Sequence, residues 1–330
     1  MALRPLYLLA HLLPGHCLRL LAESTLPDFY VCETEATCTP ASSPGVPSYQ
    51  MPELLQAGAR RMAGVAASGR RPLALHIGAD GLRNPARWAD VHLYTELLSH
   101  AGSAAEQLRL AFVEPDEAKA PDFWRNVGRL PARRERVALV TAMADVECPA
   151  PTKSMYRFGP KAIDEFNLNS HVVGGWVSFH PAWPKAQLKY WVDSGRPCPC
   201  DRGGGDCSAG WKQLRDSPNV TDYIVEVAIP CLTPSGLLDK LGSSMEELAM
   251  LVVDAEGLDA TILRSIASDP HFNPGFIQWE AKFNGTRTQE AIAALRARGY
   301  KVGSKPGGLK WSTDALNVIA VRLGDHDRDM

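Results

Sequence analysis

Residues 250–263, MLVVDAEGLDATIL, constrain the fold of this chain more than any other stretch. Four consecutive apolar residues, Met250 to Val253, two of them valine, suit a strand buried on both faces. The run stops at Asp254, and Glu256 and Gly257 follow. Leu258, Ile262, Leu263 and Ile266 then recur at helical spacing. Strand, glycine turn and helix form the unit from which open α/β sheets are wound, and ligands in such sheets sit beyond the carboxyl ends of the strands. Two carboxylates at that point are either solvated loop acids or groups placed for chemistry or for binding a cation.

The same unit recurs upstream. Residues 73–77 read as a short apolar strand ending in Gly78-Ala79-Asp80-Gly81, and Pro85 opens a helix predicted to reach about His100. Glycines in such a turn let a ligand approach the backbone, and the following helix N-terminus favours a carboxylate or phosphate. A second strand is predicted over 108–113 and ends in Glu114-Pro115. An acid at that position commonly takes a ribose diol through two hydrogen bonds. A third strand is expected over 137–141, followed by Ala142-Met143-Ala144-Asp145. Ahead of all three, an amphipathic helix should begin at Pro52, with Leu54, Leu55, Ala59 and Met62 on one face.

With these strand ends in order, the chain resembles the FkbM-type S-adenosylmethionine-dependent methyltransferases. That family carries an acid-Ile-Gly-Ala-Asn-x-Gly turn after its first strand, Glu-Pro after the second, Ala-x-x-Asp after the third and Asp-x-Glu-Gly after the fourth. The corresponding residues here are His76-Ile77-Gly78-Ala79-Asp80-Gly81, Glu114-Pro115, Ala142-Met143-Ala144-Asp145 and Asp254-Ala255-Glu256-Gly257. Residues 275–280 (GFIQWE) resemble the next strand, residues 295–302 a helix end and following strand, and residues 317–322 (NVIAVR) the last, antiparallel one. The likeness spans roughly residues 72–145 and 226–323. It departs from the family at two places, where His76 replaces the acid and Asp80 the Asn.

The resemblance implies an α/β fold with a Rossmann-like class I methyltransferase sheet, mostly parallel with its last strand antiparallel and helices on both faces. It implies S-adenosylmethionine as cofactor, with its carboxylate at the Gly78–Gly81 turn, its ribose on Glu114 and its adenine near Asp145. His76, Gly78, Asp80, Gly81, Glu114 and Asp145 are thus the cofactor-binding candidates. Asp254, Glu256 and Glu280 are the candidate catalytic bases, Asp254 first among them, while Glu256 serves equally as an acid bonded to turn amides. Carboxylates near a sulfonium also complement its charge.

Residues 150–225 depart most from a minimal methyltransferase. They hold Trp176, Trp183, Trp191 and Trp211, with Phe179, His180 and Tyr190 nearby. Such aromatics either stack on sugar rings of an acceptor or form a satellite core. Cys198, Cys200 and Cys207 can bind zinc with His180 or Cys231 as fourth ligand, pair as disulfides, or stay free. No metal site is assigned on this pattern.

A net charge of −2 and only short basic clusters give no pull toward nucleic acid. Residues 6–13 (LYLLAHLL) have the length of a signal-peptide core and are too short for a membrane span. Residues 32–50 are Pro-, Ser- and Thr-rich, as in a linker. The expected organisation is therefore an N-terminal extension over 1–50, carrying a signal or anchor and a linker, then a methyltransferase domain over 51–330 with an insertion at about 150–225. The secretory pathway is favoured over the cytoplasm, with the sequons Asn219-Val220-Thr221 and Asn284-Gly285-Thr286 in keeping. The expected activity is O-methylation of a hydroxyl on a sugar, glycan or small metabolite. The alternative is a catalytically silent methyltransferase-like module that binds a glycan or a protein, and a zinc-stapled secreted interaction protein is a third reading.

Overall fold

The computed structural model describes residues 51–82, 89–169, 173, 177–193, 208–255, 257–280, 286–304 and 317–322. The N-terminal extension, Glu256, Trp176, Asn284 and Gly285 of the second sequon, and the thiols Cys198, Cys200 and Cys207 lie outside them.

Helix α1 (Met51–Ala67) buries Leu54, Leu55, Ala59 and Met62, as its apolar periodicity requires. Strand β1 (Leu73–Ile77) follows, then α2 (Ala89–His100), β2 (Arg109–Val113), α3 (Ala120–Val127) and β3 (Val137–Val140). Farther along come α7 (Pro234–Lys240), β7 (Leu248–Val253), α8 (Asp259–Ala267), β8 (Phe276–Glu280), α9 (Thr286–Ala297), β9 (Lys301–Ser304) and β10 (Asn317–Val321). The strands form one seven-stranded sheet in the order β3-β2-β1-β7-β8-β10-β9. All neighbours are parallel except β10, which runs antiparallel to both β8 and β9. The fold is α/β, with a Rossmann-like class I methyltransferase sheet.

Alternation along the central strands explains the two layers. On β2, Leu110 and Phe112 face one apolar cluster with α1, α2 and α3, whereas Ala111 and Val113 face a second with α7, α8 and α9. Strand β7 is buried at all six positions, divided between the same two clusters. Such a strand must be apolar throughout, which is why residues 250–253 stood out in the sequence.

Between β3 and β7 the chain builds a second, three-stranded sheet, β4-β6-β5, from β4 (Met143–Ala144), β5 (Thr152–Phe158) and β6 (Ile224–Leu232). Strands β5 and β6 pair antiparallel from Thr152↔Pro230 to Phe158↔Ile224. Helices α4 (Pro160–Phe166), α5 (Trp183–Asp193) and α6 (Ser208–Asp216) lie between them in sequence. Phe158, Leu168, Leu188, Trp211 and Leu214 make a separate core there. A disulfide between Cys148 and Cys231 closes the neck of this insertion. Cys231 is therefore spoken for and corrects its suggested place as a fourth zinc ligand; Cys148 is its partner.

Most of the described aromatics in the insertion serve packing. Trp211 is fully buried and stacks on Trp191 with ring centroids 6.2 Å apart. Tyr190 is the exposed large apolar side chain among the described residues. Of the two structures that aromatic richness allows, the satellite core is the one realised at Trp211. No helix among the described residues is long and apolar enough to cross a membrane.

Candidate functional site

Strand register brings the candidate residues to one edge. Ile77 pairs with Val113 on one side and Val253 on the other, and Val253 pairs with Trp279. The residues just beyond those pairs, Glu114, Gly78, Asp254 and Glu280, therefore form a row across four adjacent strands at their carboxyl ends. At about 4.8 Å per strand, the row is roughly 14 Å long.

Gly78 is the tightest point of this edge. Its φ is +84°, and a Cβ built on it would lie 1.6 Å from the carbonyl oxygen of Asp254. Only glycine allows the two strand ends to approach so closely. Its amide and that of Ala79 both donate to the Val113 carbonyl, at 2.9 and 3.1 Å, which ties the turn to β2. Asp80 then takes a φ of +39°. Asn and Asp are the side-chain-bearing residues that tolerate this region best, so an Asp suits the turn.

Asp80 also carries a charge, and Lys119 answers it. The Lys119 ammonium lies 2.7 Å from Asp80 Oδ1 and 3.5 Å from Glu114 Oε1. Its side chain is 4% exposed and that of Glu114 is 3% exposed, whereas Asp80 is 57% exposed. Burial alone would lower the lysine pKa, but the carboxylates of Asp80 and Glu114 overcome this and hold it above its ordinary value. Glu114 is pushed up, first by burial, with Lys119 opposing. Glu114 Oε1 also accepts from the Asp116 amide at 2.9 Å.

A second ion pair joins this edge to the insertion. Asp116 caps the short 3₁₀ turn Glu117–Lys119 by accepting from the Ala118 amide at 3.1 Å, and its other oxygen accepts from Arg157 on β5 at 2.6 Å. Asp145, 5% exposed, accepts from its neighbouring Val146 amide at 2.7 Å and pairs with Lys153, also on β5. The Asp145 amide donates to Leu232 at the end of β6. The insertion is thus bonded to the segments that follow β2 and β4, at Asp116 and Asp145. The positions of Lys119, Lys153 and Arg157 were invisible to motif reading, because each depends on a fold-level approach rather than on spacing.

The turn after β7 is shaped by Asp259, the first residue of α8 and fully buried. Its Oδ1 accepts from the Ala255 amide at 2.8 Å and its Oδ2 from the Gly257 amide at 2.9 Å. Turn stabilisation, one of the two roles weighed for Glu256, is thereby filled by Asp259. Asp254 is exposed at the rim, and Glu280 is half-buried at the end of β8.

His76 points to the interior. Its ring, on a residue 2% exposed, sits 5.9 Å from Phe112 and 6.1 Å from Tyr94, within an aromatic train that continues to Phe123. His180, the other suggested zinc ligand, is exposed, and its Nδ1 accepts from the Ala182 amide at 3.3 Å. No group of three or more potential metal ligands occurs among the described residues.

No family model and no curated protein matches the chain. Among solved structures, a fibrillarin/Nop5p complex aligns over 81% of this chain and 83% of that one, at 11% identity and a TM-score of 0.26. So loose a likeness bears no argument about fold or chemistry.

Proposed function

We propose that the chain is an S-adenosylmethionine-dependent methyltransferase acting on a hydroxyl of a sugar, glycan or small metabolite. The observation that carries this reading is the Gly78–Asp80–Glu114–Lys119 cluster at the carboxyl ends of the adjacent strands β1 and β2. A class I sheet receives a nucleoside at this edge. Gly78 lets the end of β1 close against the Asp254 backbone in a tight turn, and Glu114 gives a carboxylate acceptor at the tip of β2. Lys119 balances one of the two carboxylates it touches, which leaves the cluster suited to a cationic ligand. The residues present fit the cofactor.

When bound, S-adenosylmethionine supplies an electrophilic methyl group on a sulfonium. The protein's part is then to orient and to accept a proton. Glu114 holds the ribose hydroxyls, and Lys119 keeps both Glu114 and the Asp80 turn in place. Asp254, exposed on the rim beside Gly78, takes the hydroxyl proton of the acceptor, with Glu280 one strand farther along as second base. Glu256 completes the candidate set, and Gly81 and Asp145 complete the proposed cofactor contacts. Positioning in such a displacement contributes about 7–11 kcal/mol, and a general base about 10²–10⁴-fold.

Calorimetric titration with S-adenosylmethionine tests the reading. Micromolar binding, weakened at least about tenfold by Glu114→Ala, is expected, equivalent to about 1.4 kcal/mol. A folded protein that takes up no cofactor sinks it. That result would leave the alternative of a silent methyltransferase-like module, which the deep burial of Glu114 beneath Lys119 specifically favours.

A further inference from the structure

We infer that Asn219 is an N-glycosylation site, and that the inserted subdomain faces an oxidising, secretory compartment. Two independent observations meet in that subdomain. The first is the acceptor geometry at Asn219-Val220-Thr221. Asn219 and Thr221 are both exposed, whereas Val220 between them is buried in the satellite core. Val220 therefore anchors the tripeptide while both reactive side chains face solvent.

Asn219 occupies the cap position of the short 3₁₀ turn Val220–Tyr223, yet its side chain takes no part in capping. The backbone supplies the bonds instead: its amide donates to Ser217 Oγ at 3.3 Å, and its carbonyl accepts from the Asp222 amide at 2.9 Å. The carboxamide is thus left for solvent in a bent, accessible segment. Asn-x-Thr in such a surface loop is the pattern a glycosylating enzyme accepts.

The second observation is the Cys148–Cys231 disulfide at the neck of the same subdomain. Disulfides persist in the secretory lumen and outside the cell, and are rare where glutathione keeps thiols reduced. The bond and the sequon point to the same compartment by unrelated chemistry.

Position also permits the modification. Strand β6 runs from Ile224, beside the sequon, to Leu232, whose carbonyl accepts from Asp145 at the cofactor edge. Eight residue steps of antiparallel strand span roughly 27 Å. A glycan on Asn219 stands at the far end of that strand and leaves the row from Glu114 to Glu280 open.

In the transfer itself, the Asn219 amide nitrogen forms a bond to the anomeric carbon of an oligosaccharide carried on a lipid pyrophosphate. The bond from that carbon to the pyrophosphate oxygen breaks, the lipid pyrophosphate leaves with the electron pair, and the amide proton passes to solvent.

The full chain, with its own N-terminal segment, is expressed in eukaryotic cells and examined by gel mobility and peptide mass. The expected result is a slower band that collapses on treatment with peptide N-glycosidase, with Asn219 converted to Asp in the released peptide. Asn219→Gln and Thr221→Ala should each lose that conversion, and Thr221→Ser should keep it, which separates sequon chemistry from loss of structure. Cys148 and Cys231 should resist alkylation until reduced. An unmodified Asn219 peptide in folded wild-type protein overturns the site. Free alkylation of both cysteines in the folded protein overturns the compartment.

Discussion

The ammonium of Lys119 lies 2.7 Å from Asp80 Oδ1 and 3.5 Å from Glu114 Oε1, so one buried cation joins the carboxyl ends of β1 and β2. A cation desolvated to this degree is stable only because both carboxylates surround it. Removing it leaves Glu114 buried without its counter-charge. Lys119→Met should therefore cost about 3–5 kcal/mol of unfolding free energy. Asp80→Asn should cost much less, because Asp80 is the exposed member and Glu114 still faces the ammonium. Urea denaturation of the two variants would show this order, and equal losses would mean that the lysine is held by packing rather than charge.

The same pair predicts a pH dependence. The Glu114 carboxyl is raised above its ordinary value of 4.5 by burial, with Lys119 as the main opposing influence. A carboxyl raised in the folded state contributes stability that is fully present below its unfolded pKa and is lost as pH rises through the folded value. Without Lys119 the folded value climbs further. The stability of Lys119→Met should accordingly fall away from wild type as pH increases above 4.5, with the smallest gap at the acidic end. Lys119 itself is raised, so its own contribution is intact until pH passes 10.5 and does not blur that window. Unfolding midpoints measured from about pH 4.5 to 8 give the comparison. A gap independent of pH would rule out Glu114 as its source.

Asp259 predicts a different kind of loss. Its two carboxylate oxygens each accept a backbone amide of the turn that follows β7, at 2.8 and 2.9 Å. Asp259→Ala leaves those amides unmet and should cost about 3–6 kcal/mol, at roughly 1.5–3 per hydrogen bond to a charged group. Asp259→Asn keeps one acceptor and should fall between. Because the turn carries Asp254 at the rim, hydrogen exchange at Ala255 and Gly257 should quicken in the alanine variant. Unchanged exchange there would show that the turn holds its shape without the aspartate.

How much of this was legible in the sequence follows from which interactions are local. The strand over 73–77, the run at 250–253 and helix α1 announce themselves because apolar period and burial are properties of short windows, whereas the strand at 275–280 was read from the resemblance. Gly78 was legible as a turn residue, and the order of strand ends carried the expectation of a methyltransferase sheet, which the topology bears out. Lys119 was not legible, because nothing within 119's own neighbourhood marks it as the partner of residue 80, and a lysine before a proline-containing helix reads as a solvated one. Asp259 was passed over beside the more conspicuous Asp254 and Glu256, although an acid in the first turn of a predicted helix is itself a capping signal. The second sheet was unreadable for a further reason. Its strands β5 and β6 are 66 residues apart in sequence at their closest pairing, Phe158↔Ile224, and both alternate only weakly between buried and exposed positions.

The Cys148–Cys231 bond makes the last prediction. It closes a loop of 83 residues' separation, and that loop contains all of α4, α5, α6 and the satellite core around Trp211. Restricting such a loop in the unfolded chain is worth roughly 4.5 kcal/mol by chain entropy. The neck it fastens is also held by the Asp145 amide to the Leu232 carbonyl and by Arg157 to Asp116, so the folded insertion should survive reduction but open more often. Reductant should therefore lower Tm, and Cys148→Ser/Cys231→Ser should sit at the reduced value whether or not reductant is present. Limited proteolysis should then cut first between residues 148 and 231, while the seven-stranded sheet stays intact, because the residues of its two cores all lie outside that loop. Cleavage spread evenly over the chain would mean instead that the insertion and the main sheet unfold as one unit.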